Sequence, residues 1–277
     1  MPHTTRIAVA FFGITRSLSY TIGSIRENVL GAARENGDVS VCCHFFRQMT
    51  IDNRRTGECG PLNPDEYALL SPDRVEFSEP MAMLQDVGFE QIKAYGDHWN
   101  DGFKTVSNLL HQLYSLKAVT RLALETEPDI VVYCRPDLKY HDSLRDGLHR
   151  AKEIRKPTVL LPRWQRHKGG FNDRFAICIG AAAAQSYGNR LDRALPFCQD
   201  LMQALHSERL IRYALECSGV CVERLDVRAS RIRADGQQVV EDFSEKSWKQ
   251  FRNAIRFRQT LARRSCHGPG PSAHSFL

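Results

Sequence analysis

The sequence predicts an α/β protein built on a mostly parallel sheet flanked by helices, and three observations predict it. Residues 6–12 (RIAVAFF) form an unbroken apolar run of strand length. Ile22, Ile25, Val29 and Ala32 or Ala33 then recur at helical spacing, and residues 39–46 form a second apolar run, so the first 46 residues read strand, loop, helix, strand. Later, Val106, Leu109, Leu110, Leu113, Leu116 and Val119 mark a long amphipathic helix running to about residue 125, followed by the buried run Ile130 to Tyr133.

Taken in order, Gly13 to Ser17 break the first strand, and Gly37 stands where a C′ residue would close the first helix. Residues 47–103 read as a loop-rich insertion, part of it mobile, because residues 53–57 (NRRTG) and 60–64 (GPLNP) are rich in turn formers. Inside it, residues 75–77 and 92–95 are expected as short strands and residues 80–87 as a short helix. Pro128-Asp129 ends the long helix. A basic helix is expected around residues 144–154, strands at 158–161 and 175–179, and helices at 181–187 and 190–205. Leu210, Ile211, Ala214 and Leu215 mark a helix stopped by Gly219. Residues 220–225 and 228–233 read as paired strands, with Ala234-Asp235-Gly236 as a turn. Residues 1–243 form the main domain. Residues 244–264 are expected as a basic amphipathic helix with Trp248, Phe251, Ile255 and Leu261 along one face, and residues 265–277 as a disordered tail.

The chain has 277 residues, 42% of them apolar, enough for a sizeable core. Its formal net charge of +6 suits a nucleotide diphosphate, an anionic membrane surface or nucleic acid, and selects none of them. The nine cysteines include no Cys-x-x-Cys pair and no zinc spacing with histidine; several lie in apolar runs and read as small core residues, and their odd, scattered number fits a reducing compartment. No signal peptide is visible, and no run approaches the roughly 20 apolar residues of a membrane span. A cytoplasmic location is therefore expected. No zinc finger, helix-turn-helix or RNP-like aromatic strand appears, so nucleic acid is not an expected partner. The C-terminal basic helix has two readings: its apolar face docks on the domain, or it rests peripherally on anionic lipid at the inner membrane face.

The chemistry concentrates at strand ends. Residues 133–139 (YCRPDLK) place Arg135 and Asp137 just after the buried Ile130 run, and strand ends of open α/β sheets are where ligands bind. There a carboxylate can hold a divalent cation and an arginine a phosphate, or the two can simply organise a turn. Phe12-Gly13-Ile14-Thr15-Arg16 lacks both the G-x-G-x-x-G and the P-loop glycines, yet Gly13 lets backbone approach a ligand and Arg16 could reach a pyrophosphate. His44, at the end of the second strand, could contact a base or ribose, or be a half-buried histidine with a backbone partner. Tyr114 and Lys117 share a helix face, with Tyr114 a candidate to stack on a base. In residues 169–175 (GGFNDRF), Asp173 could act as general base and Asn172 as a hydroxyl partner, or both could organise the turn. Trp164 offers an apolar face for a sugar ring or belongs to the core. Ser207 and Glu208 have a full structural account as helix cap and first-turn acid, with a ligand role for Glu208 or His206 as the other reading.

Taken together, FFGITRSLSYTIGSIRENVL, HFF, HQLYSLKAV, DIVVYCRPDLKY, GGFNDRFAIC and SERLIRYALECSGV resemble, in order and spacing, the GT-A-type nucleotide-sugar glycosyltransferases of polysaccharide and surface-glycan biosynthesis. The resemblance implies a GT-A-like, Rossmann-type sheet with a C-terminal helical extension. It implies transfer of a sugar from a nucleotide-diphosphate donor to a glycan or lipid-linked hydroxyl acceptor. The donor site would comprise Phe12, Gly13, Arg16, His44, Tyr114, Lys117 and Arg135, and the acceptor or sugar side Trp164, Asn172 and Glu208. Asp137 and Asp173 would be catalytic, with Asp137 as the ligand of a Mn²⁺ or Mg²⁺ ion. The first acid of the family's Asp-x-Asp is replaced by Arg135, which leaves two alternatives. Either the guanidinium takes over part of the metal's charge, or the single carboxylate still holds an ion. A nucleotide-binding module without catalysis and a basic surface-interaction protein are the other readings.

Overall fold

A computed structural model of the chain describes residues 4–53, 57–80 and 83–244, together with Ile255 and Phe257. The chain opens with β1 (Arg6–Gly13), α1 (Leu18–Ile25), a π-helical turn (Arg26–Gly31) and α2 (Ala32–Arg34), then β2 (Asp38–Phe46). A hairpin of β3 (Thr50–Asn53) and β4 (Glu58–Pro61) precedes β5 (Arg74–Ser78), and α3 (Met83–Asp86) and α4 (Phe89–Lys93) lead to α5 (Lys104–Leu124). Next come β6 (Ile130–Cys134), β7 (Leu138–Tyr140), α6 (Arg145–Glu153), β8 (Thr158–Pro162) and β9 (Ala176–Ile179). The remainder is α7 (Ala181–Gly188), α8 (Ala194–Leu201), α9 (Ser207–Ser218), β10 (Cys221–Leu225) and β11 (Ala229–Arg231).

Seven strands form the central sheet in the order β10-β8-β9-β6-β1-β2-β5. Every neighbouring pair is parallel except the two made by β9. Only residues 163–175, with no α-helix, separate β8 from β9; so short a connection suits an antiparallel neighbour rather than a crossover. The α/β class expected from the sequence, a mostly parallel sheet flanked by helices, is the one observed. Side chains of β1 alternate between two cores: Ala8, Ala10 and Phe12 face α5 and α7 to α9, while Ile7, Val9 and Phe11 face α1 and α6. Burial on both faces is why β1 reads as an unbroken apolar run, and each large side chain so buried contributes about 1.5–3 kcal/mol.

The structure corrects several sequence expectations. Residues 92–95 are not a strand: Phe89–Lys93 is helical, with Ile92 turned into the core. The helix expected over 190–205 is a 3₁₀ turn (Arg190–Arg193) followed by α8, which ends at Leu201. The last two strands do not pair with each other; β10 joins the sheet beside β8, and β11 pairs antiparallel with β7. Gly37 is required by close approach rather than by a left-handed cap, since a Cβ there would lie 2.1 Å from the Thr5 carbonyl oxygen. The C-terminal helix and tail expected over 244–277 lie outside the described residues, apart from Ser244, Ile255 and a buried Phe257 packed in the α5 core. No described helix is long and apolar enough to cross a membrane.

Candidate active site

Chain connections turn opposite ways from β1: toward β2 and β5 on one side, toward β6 on the other. That reversal leaves a crevice at the carboxyl ends of β1 and β6, the place where open α/β sheets bind ligands. Arg16 follows β1 and Arg135 follows β6, so the fold brings both to this crevice. Two hydrogen bonds to its carbonyls hold the turn after β6, and a third anchors the residue that makes one of them. Thr21 Oγ1 donates to the Pro136 carbonyl (2.6 Å), Ile232 N–H to the Asp137 carbonyl (2.8 Å), and Ser17 Oγ to the Ile232 carbonyl (3.0 Å).

Asp137 is buried and fully engaged. Arg135 grips it with a fork, Nε to Oδ1 at 2.9 Å and an Nη to Oδ2 at 2.7 Å, and Arg16 donates to the same Oδ2 at 2.7 Å. Burial alone would raise the Asp137 pKa, but the two guanidinium groups outweigh it and hold the carboxyl far below its ordinary range. Arg135 is the mirror case: burial opposes its charge, and Asp137 more than compensates. Arg135 also donates to Gln112 Oε1 (3.3 Å) and Arg16 to Glu58 (3.3 Å). Glu58, carried in by β4, accepts from Arg233 (3.1 Å) and the Ala234 N–H (3.1 Å) as well. Two buried donors here have no acceptor among the described residues, Arg16 Nε and Gln112 Nε2.

These residues form the wall between two cavities. The smaller, about 290 Å³, lies between the ends of β1 and β2, the β3–β4 hairpin and α5. Phe12, Gly13, Arg16, Arg135 and Asp137 line it, together with Phe46 and Asp52. The larger, about 890 Å³, shares Arg16, Asn53, Asn108, Gln112 and Arg135 with it and reaches Asp173, Arg174 and the start of α9. Among the described residues it is lined by eight arginine and lysine side chains against three carboxylates, Asp101, Asp173 and Glu208. Burial raises the pKa of Asp173, but Arg174 and Arg135 outweigh it and lower it below the ordinary carboxylate value.

Not every residue predicted from the sequence reaches this wall. His44 is buried at the end of β2, with Nδ1 2.9 Å from Ser115 Oγ and Nε2 3.0 Å from Ser78 Oγ. Ser115 spends its hydrogen on the His44 carbonyl (2.7 Å) and accepts the Gly13 N–H (2.8 Å). Nδ1 of His44 must therefore donate, and Nε2 accepts from Ser78. Burial holds this neutral ring down to a pKa of about 4. His44 thus locks the ends of β1 and β2 to α5 rather than facing the crevice. With Tyr114 and Lys117 it lines a third, open cavity, and Lys117 is paired to Asp192 at 2.6 Å, so neither Tyr114 nor Lys117 stands at the Arg16–Arg135 wall. Trp164 is core: its Nε1 donates to the Val227 carbonyl (2.8 Å) and its ring packs against Phe243. Asn172 organises the turn, donating to the Trp164 carbonyl and accepting from the Arg174 N–H. Glu208 does line the larger cavity, 3.1 Å from His206 and bonded to Ser207 Oγ at 2.9 Å; His206, not Ser207, is the N-cap position of α9.

Sequence reasoning missed Glu58, Gln112, Arg174, Arg233 and Trp99. Gln112 sits one helical turn after Asn108, a polar stripe on α5 that could have been noticed. Glu58 and Arg233 lie in short segments without periodicity, and only tertiary pairing joins them.

The donor set does not fit a divalent cation. Both Asp137 oxygens are occupied by guanidinium groups, and no group of three His, Cys, Asp or Glu among the described residues could hold an ion.

No family model matches the chain, and no curated protein does. Among solved structures it is similar to mouse xyloside xylosyltransferase 1 in its apo form, at 12% identity and a TM-score of 0.43, over 80% of this chain and 85% of that one. It is also similar to an active-site mutant of LgtC, at 11% identity and a TM-score of 0.45, over 93% and 95%. A third likeness is to a presumed glucose-1-phosphate thymidylyltransferase from Bacillus anthracis solved with sucrose, at 8% and 0.39, over 92% and 96%. At this distance the likenesses carry no activity across.

Proposed function

We propose that the protein is a glycosyltransferase that moves a sugar from a nucleotide-diphosphate donor to a hydroxyl acceptor, using arginines in place of a metal ion. The observation that carries this is the buried Arg16–Asp137–Arg135 cluster at the switch point, between cavities of about 290 and 890 Å³, with Arg16 Nε lacking an acceptor among the described residues. Nucleotide fills the smaller cavity, and its diphosphate lies against Arg16 and Arg135. Asp137 positions both guanidinium groups. In the larger cavity the acceptor oxygen attacks the anomeric carbon and its proton passes to Asp173. The bond from that carbon to the diphosphate oxygen breaks, and its electron pair leaves with the diphosphate, whose charge the arginines stabilise.

A thermal-shift panel of UDP, GDP, CDP and their sugars tests the reading. One nucleotide at about 100 times its dissociation constant should stabilise the fold by about 2.7 kcal/mol. Arg135→Ala and Asp137→Ala should abolish the shift, while Asp173→Asn keeps it and loses sugar transfer. Binding without any transfer in the wild type would make the chain a nucleotide-binding module. No shift with any nucleotide would remove the reading.

A further inference from the structure

We infer that the acceptor is a sugar carrying its own oxyanion, a phosphate or a carboxylate, held in the larger cavity; this rests on the glycosyltransferase reading and names its acceptor class. The charge of that cavity exceeds what a donor diphosphate needs. Arg16 and Arg135 face the diphosphate, Arg231 is spent on Glu241 (2.9 Å) and Arg233 on Glu58 (3.1 Å). Arg174 remains close to Asp173 on the far side of Arg135. Its guanidinium donates to Gln165 Oε1 (3.0 Å) and lies 3.8 Å from Glu241 and 4.0 Å from Asp173, but its buried Nε has no acceptor among the described residues. Burial most of all, with the repulsion of Arg231 and Arg135, holds that guanidinium below its ordinary pKa against Asp173 and Glu241. A desolvated cation crowded by like charge, with an unused N–H, is relieved by an incoming anion.

A second cation faces the same space. Lys168 Nζ sits 2.5 Å from His98 Nε2, and burial, then Lys168 itself, lowers the His98 pKa. Aromatic rings lie beside that lysine, with His98 packed edge-on against Trp99 at 5.1 Å and His206 at 5.3 Å between centroids. Trp99 stacks on His206, ring centroids 5.7 Å apart and 23° from parallel, and both line the cavity. An indole presented at the edge of a cavity is an apolar platform for a pyranose face. The cavity therefore offers an aromatic surface for a ring and cations for a charged substituent.

Titration calorimetry on the full chain, with glucose 6-phosphate, glucuronate and glucose as probes, tests this. Each is titrated alone and with the nucleotide found by the thermal-shift panel held at saturation. The charged sugars should bind about tenfold or more tighter than glucose, with nucleotide present or absent. Preference for the phosphate or for the carboxylate names the oxyanion. Arg174→Gln should erase the advantage, and the exposed-site variant Lys168→Gln, which removes nothing from the core, should reduce it severalfold; nucleotide affinity should be unchanged in both. Equal affinity for all three sugars would overturn the inference. So would loss of the charged sugars' binding at saturating nucleotide, which would place them on the diphosphate site. If no nucleotide binds but the charged sugars keep their advantage, the glycosyltransferase reading fails while the anion site stands.

Discussion

His44 shows how one side chain sets a property of the whole protein. Its ring is buried between Ser115 and Ser78 and neutral, with its pKa near 4 instead of 6.5. As pH falls from about 6.5 to about 4, the unfolded chain takes up a proton that the folded chain refuses. Folded stability therefore drops across that window, by up to about 3 kcal/mol, and stops dropping on this account once pH passes below the folded pKa. Urea denaturation at pH 7 and pH 4.5 should show a smaller loss in His44→Gln than in the wild type; equal losses would mean that His44 is not the titrating group. The sequence marked His44 as a histidine at a strand end, which was legible. Its choice between ligand and lock was not, because that depends on Ser115, 71 residues away.

At the scale of elements, the loop before β9 is shaped by a glycine for a reason invisible in the sequence. A Cβ on Gly170 would lie 2.2 Å from the Glu208 backbone carbon and 2.3 Å from its carbonyl oxygen, the oxygen that accepts the Phe171 N–H. Gly170→Ala should therefore push the loop off the start of α9, costing about 1–3 kcal/mol in urea denaturation. The same shift should weaken binding of any ligand that touches Asp173 and Glu208. Gly219, with φ +68, is the other kind of glycine, a left-handed helix stop, and the sequence predicted it correctly. Long elements were legible for a physical reason: β1, β2 and β6 are buried on both faces and α5 on one, so their apolar patterns are forced. The short strands β3, β4, β7 and β11 carry no such pattern. The β7–β11 ladder joins residues about 90 apart, as in Tyr140 and Ala229, and no local signal announces it.

On the scale of the molecule, the arginine cluster has a consequence for cofactor use. With both Asp137 oxygens held by Arg135 and Arg16, a divalent ion would have to displace a guanidinium fork. If the proposed function holds, nucleotide binding and sugar transfer should persist in EDTA and change less than about twofold on adding Mn²⁺ or Mg²⁺, measured by calorimetry and by transfer to acceptor. A requirement for either ion would restore Asp137 as a metal ligand.

The sequence by itself determined the α/β class, the βαβ start, the long helix and the location of Arg16, Arg135, Asp137 and Asp173 near strand ends. It could do so because buried strands and amphipathic helices impose periodic apolar patterns, and charges that interrupt them stand out. Only the tertiary structure decided which of those charges meet. It joined Arg16 to Asp137 and Glu58 to Arg233, and set Arg174 in a basic cavity. It also withdrew Trp164 and Asn172 into structural roles and sent His44, Tyr114 and Lys117 away from the crevice. Electrostatic and hydrogen-bond pairing acts over a few ångströms in space, between residues separated by as many as 215 positions in the chain, and no pattern in the sequence records that distance.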